Sequence, residues 1–341
     1  MTESKKLKFA IVGAGAIASH HILALQQISG AEVSHVCRRD ETKVQELAQN
    51  FNILGTTNYQ DLLKNPDINV IDITLPSGLH AEFGIQAAQA GKHVIVEKPI
   101  DVTLKKADAL IKACKDNGVA LGVISQMRFT DDMLKLYDYV STGRFGKLIQ
   151  GDAYIKWYRS QKYYNSGAWR GTWALDGGGP FINQGIHFID LLLSVMGPAK
   201  WVSAKTRNVS HDIEVEDIGM AMVEFKNGAH GVIQAATTVL PGLPARLEIH
   251  GTKGTIIFEG DRISFLYIQG EQPCTVQEVD KGGASDSMAI NVTPFVREFE
   301  DIIAAIHEKR EPKVSGREAR KSLQLILAIY ESSKTGKPVV I

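Results

Sequence analysis

Four apolar residues, Phe9-Ala10-Ile11-Val12, run directly into Gly13-Ala14-Gly15-Ala16-Ile17-Ala18 and then into a helical pattern that continues to about Gln27. Few local patterns restrict a fold so strongly. A short uninterrupted apolar run fits a strand buried on both faces of a parallel sheet. In a strand, glycine turn and helix of this kind, the first glycine allows the tight turn and the second lets a pyrophosphate approach the backbone. Gly13 and Gly15 take those places, and Ala18 lets helix and strand pack closely. Ala16 and Ile17, at the helix start, join them as cofactor-binding candidates. Small residues also fill tight turns that bind nothing, so the weight rests on the pattern of the next hundred residues.

From Ala31 onward the chain alternates strand and helix. The second strand, Ala31 to Cys37, ends in Arg38-Arg39-Asp40. An NAD-binding unit usually places a carboxylate there for the ribose hydroxyls. Two guanidinium groups instead suit a 2′-phosphate, because the planar fork pairs with phosphate oxygens two at a time. The cofactor is therefore NADP or NAD, with NADP favoured by Arg38 and Arg39. Two readings keep the question open: Asp40 can swing back to a ribose, or it can cap a solvated helix over Glu41 to Phe51.

A short helix over Tyr59 to Lys64 and a strand over Val70 to Leu75 come next. The loop Pro76 to His80 precedes a helix over Ala81 to Ala90, and Val94 to Val96 forms another buried strand. That strand runs into Glu97-Lys98-Pro99, which places a charge where a sheet normally opens on a site. A helix over Leu104 to Asn117, a strand over Val119 to Ile124 and the loop Ser125 to Phe129 complete the unit. Loops after strand C-termini line the ligand crevice of such a sheet. That rule makes Leu75, Pro76, His80, Glu97, Lys98 and Gln126 candidates for the cofactor and Arg128 a candidate for the substrate. His80 is equally readable as a solvated residue at a helix start.

At 341 residues the chain suits two domains, drawn at 1–128 for the dinucleotide-binding unit and 129–341 for substrate binding and oligomerisation. The last helix is expected to pack back on the first domain. With zero formal net charge and no basic run, nucleic acid is not an expected partner. Cys37, Cys114 and Cys274 have neither metal nor disulfide spacing, so no metal is expected and the thiols read as reduced. Met1 to Lys8 is polar rather than leader-like, and no apolar run is long enough for a bilayer. A cytoplasmic protein without a membrane partner is the expectation.

After Gly146 the texture changes. Leu148 to Tyr158, Val202 to Val209, Gly219 to Phe225, Gly231 to Thr238, Arg246 to His250 and Gly254 to Phe258 read as strands of a large, mostly antiparallel sheet. One helix is expected over Phe181 to Met196, with two more at Pro294 to Lys309 and Arg317 to Lys334. A sheet covered by helices on one side leaves an open face, hence an expected homodimer or homotetramer. Between Trp157 and Asp190 the chain is dense in polar and aromatic residues, and Tyr158, Tyr164, Trp169, Arg170 and Trp173 become candidate substrate contacts. On one helix Asn183, His187 and Asp190 would share a face. His187 could then accept a proton from a hydroxyl as hydride leaves the same carbon.

The Gly13 to Ala18 turn, Glu97-Lys98-Pro99 and the segment carrying Asn183 and His187 resemble the glucose-fructose oxidoreductase, inositol dehydrogenase and rhizopine-catabolism (Gfo/Idh/MocA) family over essentially the whole chain. The resemblance implies an α/β Rossmann domain followed by an α+β domain with an open-faced sheet. It also implies hydride exchange at nicotinamide C4, with Lys98 orienting the hydroxyl and assisting proton transfer and His187 as acid/base. Inositol dehydrogenases of the family carry Asp where this chain has Asn183. Tyr163-Tyr164, Trp169 to Trp173, Asn183-Gln184, Ile213 to Asp217 and Ser315 to Glu318 resemble the UDP-N-acetylglucosaminuronate 3-dehydrogenases. The expected substrate is thus a sugar or nucleotide sugar oxidised at C3. The alternatives are a dehydrogenase or reductase of a free sugar, cyclitol or glycoside, an NAD-dependent glycosidase, and a non-catalytic dinucleotide-sensing regulator.

Overall fold

The computed structural model describes residues 6–275 and 291–341, so the first residues of the polar start lie outside it. Among the described residues the chain forms two compact units, 6–126 with 291–320 and 127–275 with 321–341. The division falls two residues before the boundary drawn from the sequence, and residues 291–320 rejoin the first unit.

The first unit alternates as its apolar pattern dictates. Its elements are β1 (Leu7–Val12), α1 (Ala16–Leu25), β2 (Ala31–Cys37), α2 (Glu41–Phe51), β3 (Leu54–Thr56), α3 (Tyr59–Lys64), β4 (Val70–Ile73), α4 (His80–Gln89), β5 (His93–Val96), α5 (Leu104–Asp116) and β6 (Leu121–Val123). The strands form a parallel sheet in the order β3-β2-β1-β4-β5-β6. Side-chain oxygens start several helices: Asp40 accepts from the Lys43 N–H, Asn58 from Gln60 and Thr103 from Lys106.

In the second unit come α6 (Asp131–Ser141), β7 (Leu148–Lys156), α7 (Gln161–Asn165), α8 (Ile186–Met196), β8 (Ala199–Arg207), β9 (Ile218–Phe225), β10 (His230–Ala236), β11 (Arg246–Gly251), β12 (Gly254–Glu259), β13 (Arg262–Ile268) and β14 (Cys274–Thr275). After α9 (Thr293–Glu308) of the first unit come α10 (Gly316–Thr335) and β15 (Val339–Val340). The sheet order is β14-β13-β12-β11-β7-β10-β9-β8-β15, antiparallel at every pairing except β7 with β10. Along β9, Ala221, Val223 and Phe225 are buried while Met220 and Met222 are more than half exposed, so one face is covered and the other open.

Several features depart from the sequence pattern, among them the short elements β3, α7, β14 and β15, which it did not contain. The pattern extends α8 back to Phe181, whereas the helix begins at Ile186 after Gly185. Residues 181–185 form a tight turn, closed by the Gly185 N–H on the Pro180 carbonyl at 2.6 Å and the Asn183 N–H on Gly179 at 3.0 Å. Asn183 therefore lies outside the helix that carries His187. Helix α6 has no counterpart in the sequence pattern, although Thr130 caps it from the Met133 N–H and Met133 and Leu136 are buried. Strand β13 has none either, because Gly260-Asp261 separates it from β12 by a very short turn. No helix of the described residues is long and apolar enough to cross a membrane.

Residues 291–320 complete the core of the first unit. Phe295, Phe299, Ile302 and Ile303 of α9 join Phe9, Ile11, Ile22 and Leu25 in one buried cluster, with Phe299 edge-on to Phe9 at 6.4 Å between centroids. Deleting an aromatic ring from such a site leaves a cavity that costs about 3–5 kcal/mol. Phe299→Ala should lower unfolding stability by that amount in denaturant titration. A loss below about 1 kcal/mol would mean that α9 is not integral to this core.

Candidate active site

The glycine turn of the first unit fits a dinucleotide. Gly13 has a φ of +117°, and a Cβ there would lie 2.7 Å from the Thr74 carbonyl oxygen. Its own N–H bonds the Cys37 carbonyl at 2.9 Å, which fixes the crossing of the turn over β2. A Cβ at exposed Gly15 would meet nothing within 4 Å, so packing does not require glycine there, whereas close approach of a pyrophosphate does. Ala16 and Ile17 begin α1, where unpaired N–H groups favour a negative ligand. No acidic side chain occupies that first turn.

At the end of β2, the Arg38 guanidinium donates to the Ala14 carbonyl at 2.7 Å and so lies against the glycine turn. Arg39 is exposed. Asp40 does not swing back to a ribose position; its carboxylate accepts the Lys43 N–H at 3.1 Å, and that bond holds its pKa below the usual range.

Of the loop residues, Leu75, Pro76, Lys98 and Gln126 are half-buried. Gln126 Oε1 has no hydrogen-bond partner among the described residues. His80 needs correction as a cofactor contact. Its ring is fully buried, with Nδ1 2.8 Å from the Pro99 carbonyl and Nε2 2.8 Å from the Leu75 carbonyl, so it fastens two loops together. Glu97 is likewise buried: Oε2 accepts the Lys98 N–H at 3.0 Å and Oε1 faces His21 at 3.1 Å.

In the second unit Arg128 is also corrected. Its Nε and Nη2 donate to both oxygens of Asp190, at 2.6 and 2.7 Å, and Ser322 donates to the same carboxylate. Such a buried two-point pair anchors the middle of α8. Tyr164 is 5% exposed, its hydroxyl 2.7 Å from Thr237 Oγ1, and burial pushes its phenol well up; most of the ring packs inward while its remaining edge lines a concavity beside Arg170. Tyr158 and Trp173 are exposed, and Glu214 accepts from both the Trp173 backbone and its indole.

Tyr163, which the sequence left unassigned beside Tyr164, takes the more exposed place. Its hydroxyl accepts from Arg170 Nη1 at 2.6 Å and from Gln184 Nε2 at 3.3 Å. The Arg170 guanidinium lies 4.2 Å from the Tyr163 ring centre and 4.4 Å from that of Trp169. Arg170, Thr172, Asp212 and Glu214 line a concavity of about 440 Å³. Asp176 is a further site residue that the sequence did not single out: it is 2% exposed and accepts from Asn183 Nδ2 at 2.6 Å and from the Gly171 N–H at 2.8 Å. A carboxylate thus stands beside Asn183 despite the neutral amide. His187 is half-buried in the first turn of α8.

The turn leading into α8 hangs on Glu216. This fully buried carboxylate accepts the Gly179 N–H at 2.9 Å, the Phe181 N–H at 3.3 Å and the Tyr330 hydroxyl at 2.9 Å. A Cβ at Gly179 would collide with the Glu216 carbonyl, so only glycine fits the approach. Burial pushes the Glu216 carboxyl up to about 7, partly offset by those donors.

Residues 7–125 match the family model described as an oxidoreductase family with an NAD-binding Rossmann fold, and residues 133–257 match the GFO/IDH/MocA C-terminal domain. Among solved structures, the chain is similar to the WlbA dehydrogenase of Bordetella pertussis in complex with NADH and UDP-GlcNAcA. Identity is 31%, covering 99% of this chain and 98% of that one, with a TM-score of 0.88. It is also similar to the D-apiose dehydrogenase of Paraburkholderia graminis, 25% identical over 99% of this chain and 90% of that protein. The 1,5-anhydro-D-fructose reductase of Ensifer adhaerens is 26% identical, with 98% of both chains covered.

Glu216 gives a pH prediction. Because folding raises its pKa from 4.5 to about 7, its contribution to stability is full below the unfolded value and is lost as pH rises through the folded one. Glu216→Gln removes that titration, whatever constant penalty the amide carries. The thermal midpoint of the variant minus that of the parent should therefore climb between about pH 5 and pH 8, by at most about 3 kcal/mol in free energy. A flat difference would place the Glu216 pKa near its ordinary value.

Proposed function

The chain belongs to the GFO/IDH/MocA oxidoreductase family, and on that premise we propose that it oxidises the C3 hydroxyl of a UDP-linked uronic acid sugar. It is an NAD-binding oxidoreductase acting on the CH–OH group of a sugar. The single observation that carries the finer reading is the polar network around the turn preceding His187. There Asp176 holds Asn183, and Gln184 and Arg170 meet on the Tyr163 hydroxyl. Arg170, stacked between two aromatic rings, supplies the fixed cation that an anionic sugar requires. The likeness to a dehydrogenase solved with NADH and UDP-GlcNAcA points the same way.

The nicotinamide cofactor, when bound, supplies the hydride acceptor at C4. Gly13, Gly15, Ala16 and Ile17 would hold its pyrophosphate and Arg38 its adenosine end. Lys98 would donate a hydrogen bond to the hydroxyl oxygen, and His187 would accept the hydroxyl proton as the C–H bond breaks and the ketone forms. Asn183 would orient the sugar by neutral hydrogen bonds. With Asp40 engaged at α2 and Arg38 against the glycine turn, we read NADP as the favoured cofactor, although NADH occupies the solved relative. The open sheet face bearing Met220 and Met222 reads as a self-association surface for a homodimer or homotetramer. A free-sugar substrate is the second reading, motivated by the likeness to D-apiose dehydrogenase.

Purified protein should reduce its cofactor with UDP-GlcNAcA and not with free pentoses. Lys98→Met and His187→Ala should each lower kcat by roughly two to four orders of magnitude while cofactor affinity, read by fluorescence titration, stays near the parent value. Turnover within a few-fold of the parent removes the assigned role, and faster turnover of D-apiose moves the substrate to free sugars.

For the cofactor, NADPH should bind more tightly than NADH, and Arg38→Asp should reverse or erase the preference. A parent that already prefers NADH would leave Arg38 as a tie to the glycine turn alone.

A further inference from the structure

A charged side chain in the middle of a parallel sheet, buried on both faces, is costly, and an apolar residue would normally stand there. Asp72 occupies such a place. It lies in β4 opposite Ile11 of β1 and Ile95 of β5, and it is fully buried. Its Oδ2 is 2.8 Å from Nδ1 of His21 on α1, also fully buried. On the other side of the ring, Nε2 is 3.1 Å from Glu97 Oε1. The remaining oxygen of Glu97 accepts the Lys98 N–H at 3.0 Å. Phe295 and Phe299 of α9 pack on the imidazole at 5.4 and 5.2 Å between centroids, which shields the ring from water.

We propose that Asp72, His21 and Glu97 form a buried positioning relay that fixes the backbone of Lys98 and thereby aims its ammonium group. The proposal rests on the reading of Lys98 as the residue that binds the substrate hydroxyl. The relay is directional. Asp72 holds one edge of the imidazole, the other edge holds Glu97, and the carboxylate of Glu97 reaches the peptide N–H of the residue that must be aimed. Burial alone would lower the His21 pKa, but attraction to Asp72 and hydrogen bonds to Asp72 and Glu97 raise it to about 10. The two carboxylates thus favour the protonated ring, in which both nitrogens donate. A simple tie between α1 and the sheet would need one carboxylate. The second carboxylate touches the loop, and that asymmetry separates aiming from bracing.

The test uses the full-length protein with Asp72→Asn and His21→Gln, each alone and in the Lys98→Met background. Cofactor affinity and thermal midpoint are measured beside kcat and KM. The relay predicts that either single variant still folds and binds NADPH within a few-fold, while kcat falls about 10- to 100-fold with little change in KM, the scale expected when a reacting group is misplaced by about an ångström. In the Lys98→Met background the same substitutions should lower the residual rate no further, because the group being aimed is gone. Full kcat in both single variants overturns the proposal. So does an undiminished further loss in the Lys98→Met background, or loss of folding or cofactor binding in both, which would make the three residues a brace for the domain. A Lys98→Met enzyme that keeps near-parent activity is a different failure: it removes the role of Lys98 itself.

Discussion

The backbone at the end of β5 is held by a buried carboxylate, and the placement of Lys98 depends on that hold. Glu97 reaches the Lys98 N–H with one oxygen and His21 with the other. A strand that stops in mid-sheet leaves its next peptide groups without a ladder partner, and buried N–H groups must find an acceptor. Supplying that acceptor from a side chain fixes the loop more tightly than water could, because the acceptor is itself tied to α1 and β4. His80 does the complementary job with the carbonyls of Leu75 and Pro99.

The second unit solves the same problem by the same means. Residues 177–185 approach α8 through glycines whose peptide groups have no sheet or helix to join. Glu216 collects the N–H groups of Gly179 and Phe181 and the Tyr330 hydroxyl, while Asp176 takes the Gly171 N–H and the Asn183 amide. Next along the chain, Asp217 accepts the N–H groups of Val209, Ser210 and His211. In both units irregular backbone is stabilised by a buried acid rather than by regular structure, and the half-buried residues Lys98, Asn183 and His187 sit on that irregular backbone or just beyond it.

The alternating apolar runs and the glycine turn made the first sheet legible, because a strand buried on both faces has few other readings. The position of Lys98 just past the end of β5 was legible for the same reason. Side-chain direction was not. Tyr163 and Tyr164 are adjacent, and composition cannot say which turns inward; α7 decides it by burying Tyr164 against Thr237. Arg128 and His80 looked like ligand contacts because they come just after strand ends, yet each meets a buried partner contributed by a distant part of the chain. Asn183 and His187 are four apart, a helical spacing, but the helix begins only at Ile186, since Gly185 and the grip of Glu216 on Gly179 and Phe181 hold the preceding turn in another shape. Asp176 lay in plain view within the glycine run, and its one available signal was that a carboxylate beside three glycines must have backbone N–H groups to accept.

The most direct measurement tracks the transferred hydrogen. UDP-GlcNAcA carrying deuterium at C3 is incubated with the enzyme and oxidised cofactor, and the reduced nicotinamide is recovered for mass spectrometry. Oxidation at C3 with hydride delivered to nicotinamide C4 predicts one deuterium in the reduced cofactor and a 3-keto sugar in equal amount. Reduced cofactor without the label, or no reduction beside brisk turnover of an unlinked sugar, would contradict the account.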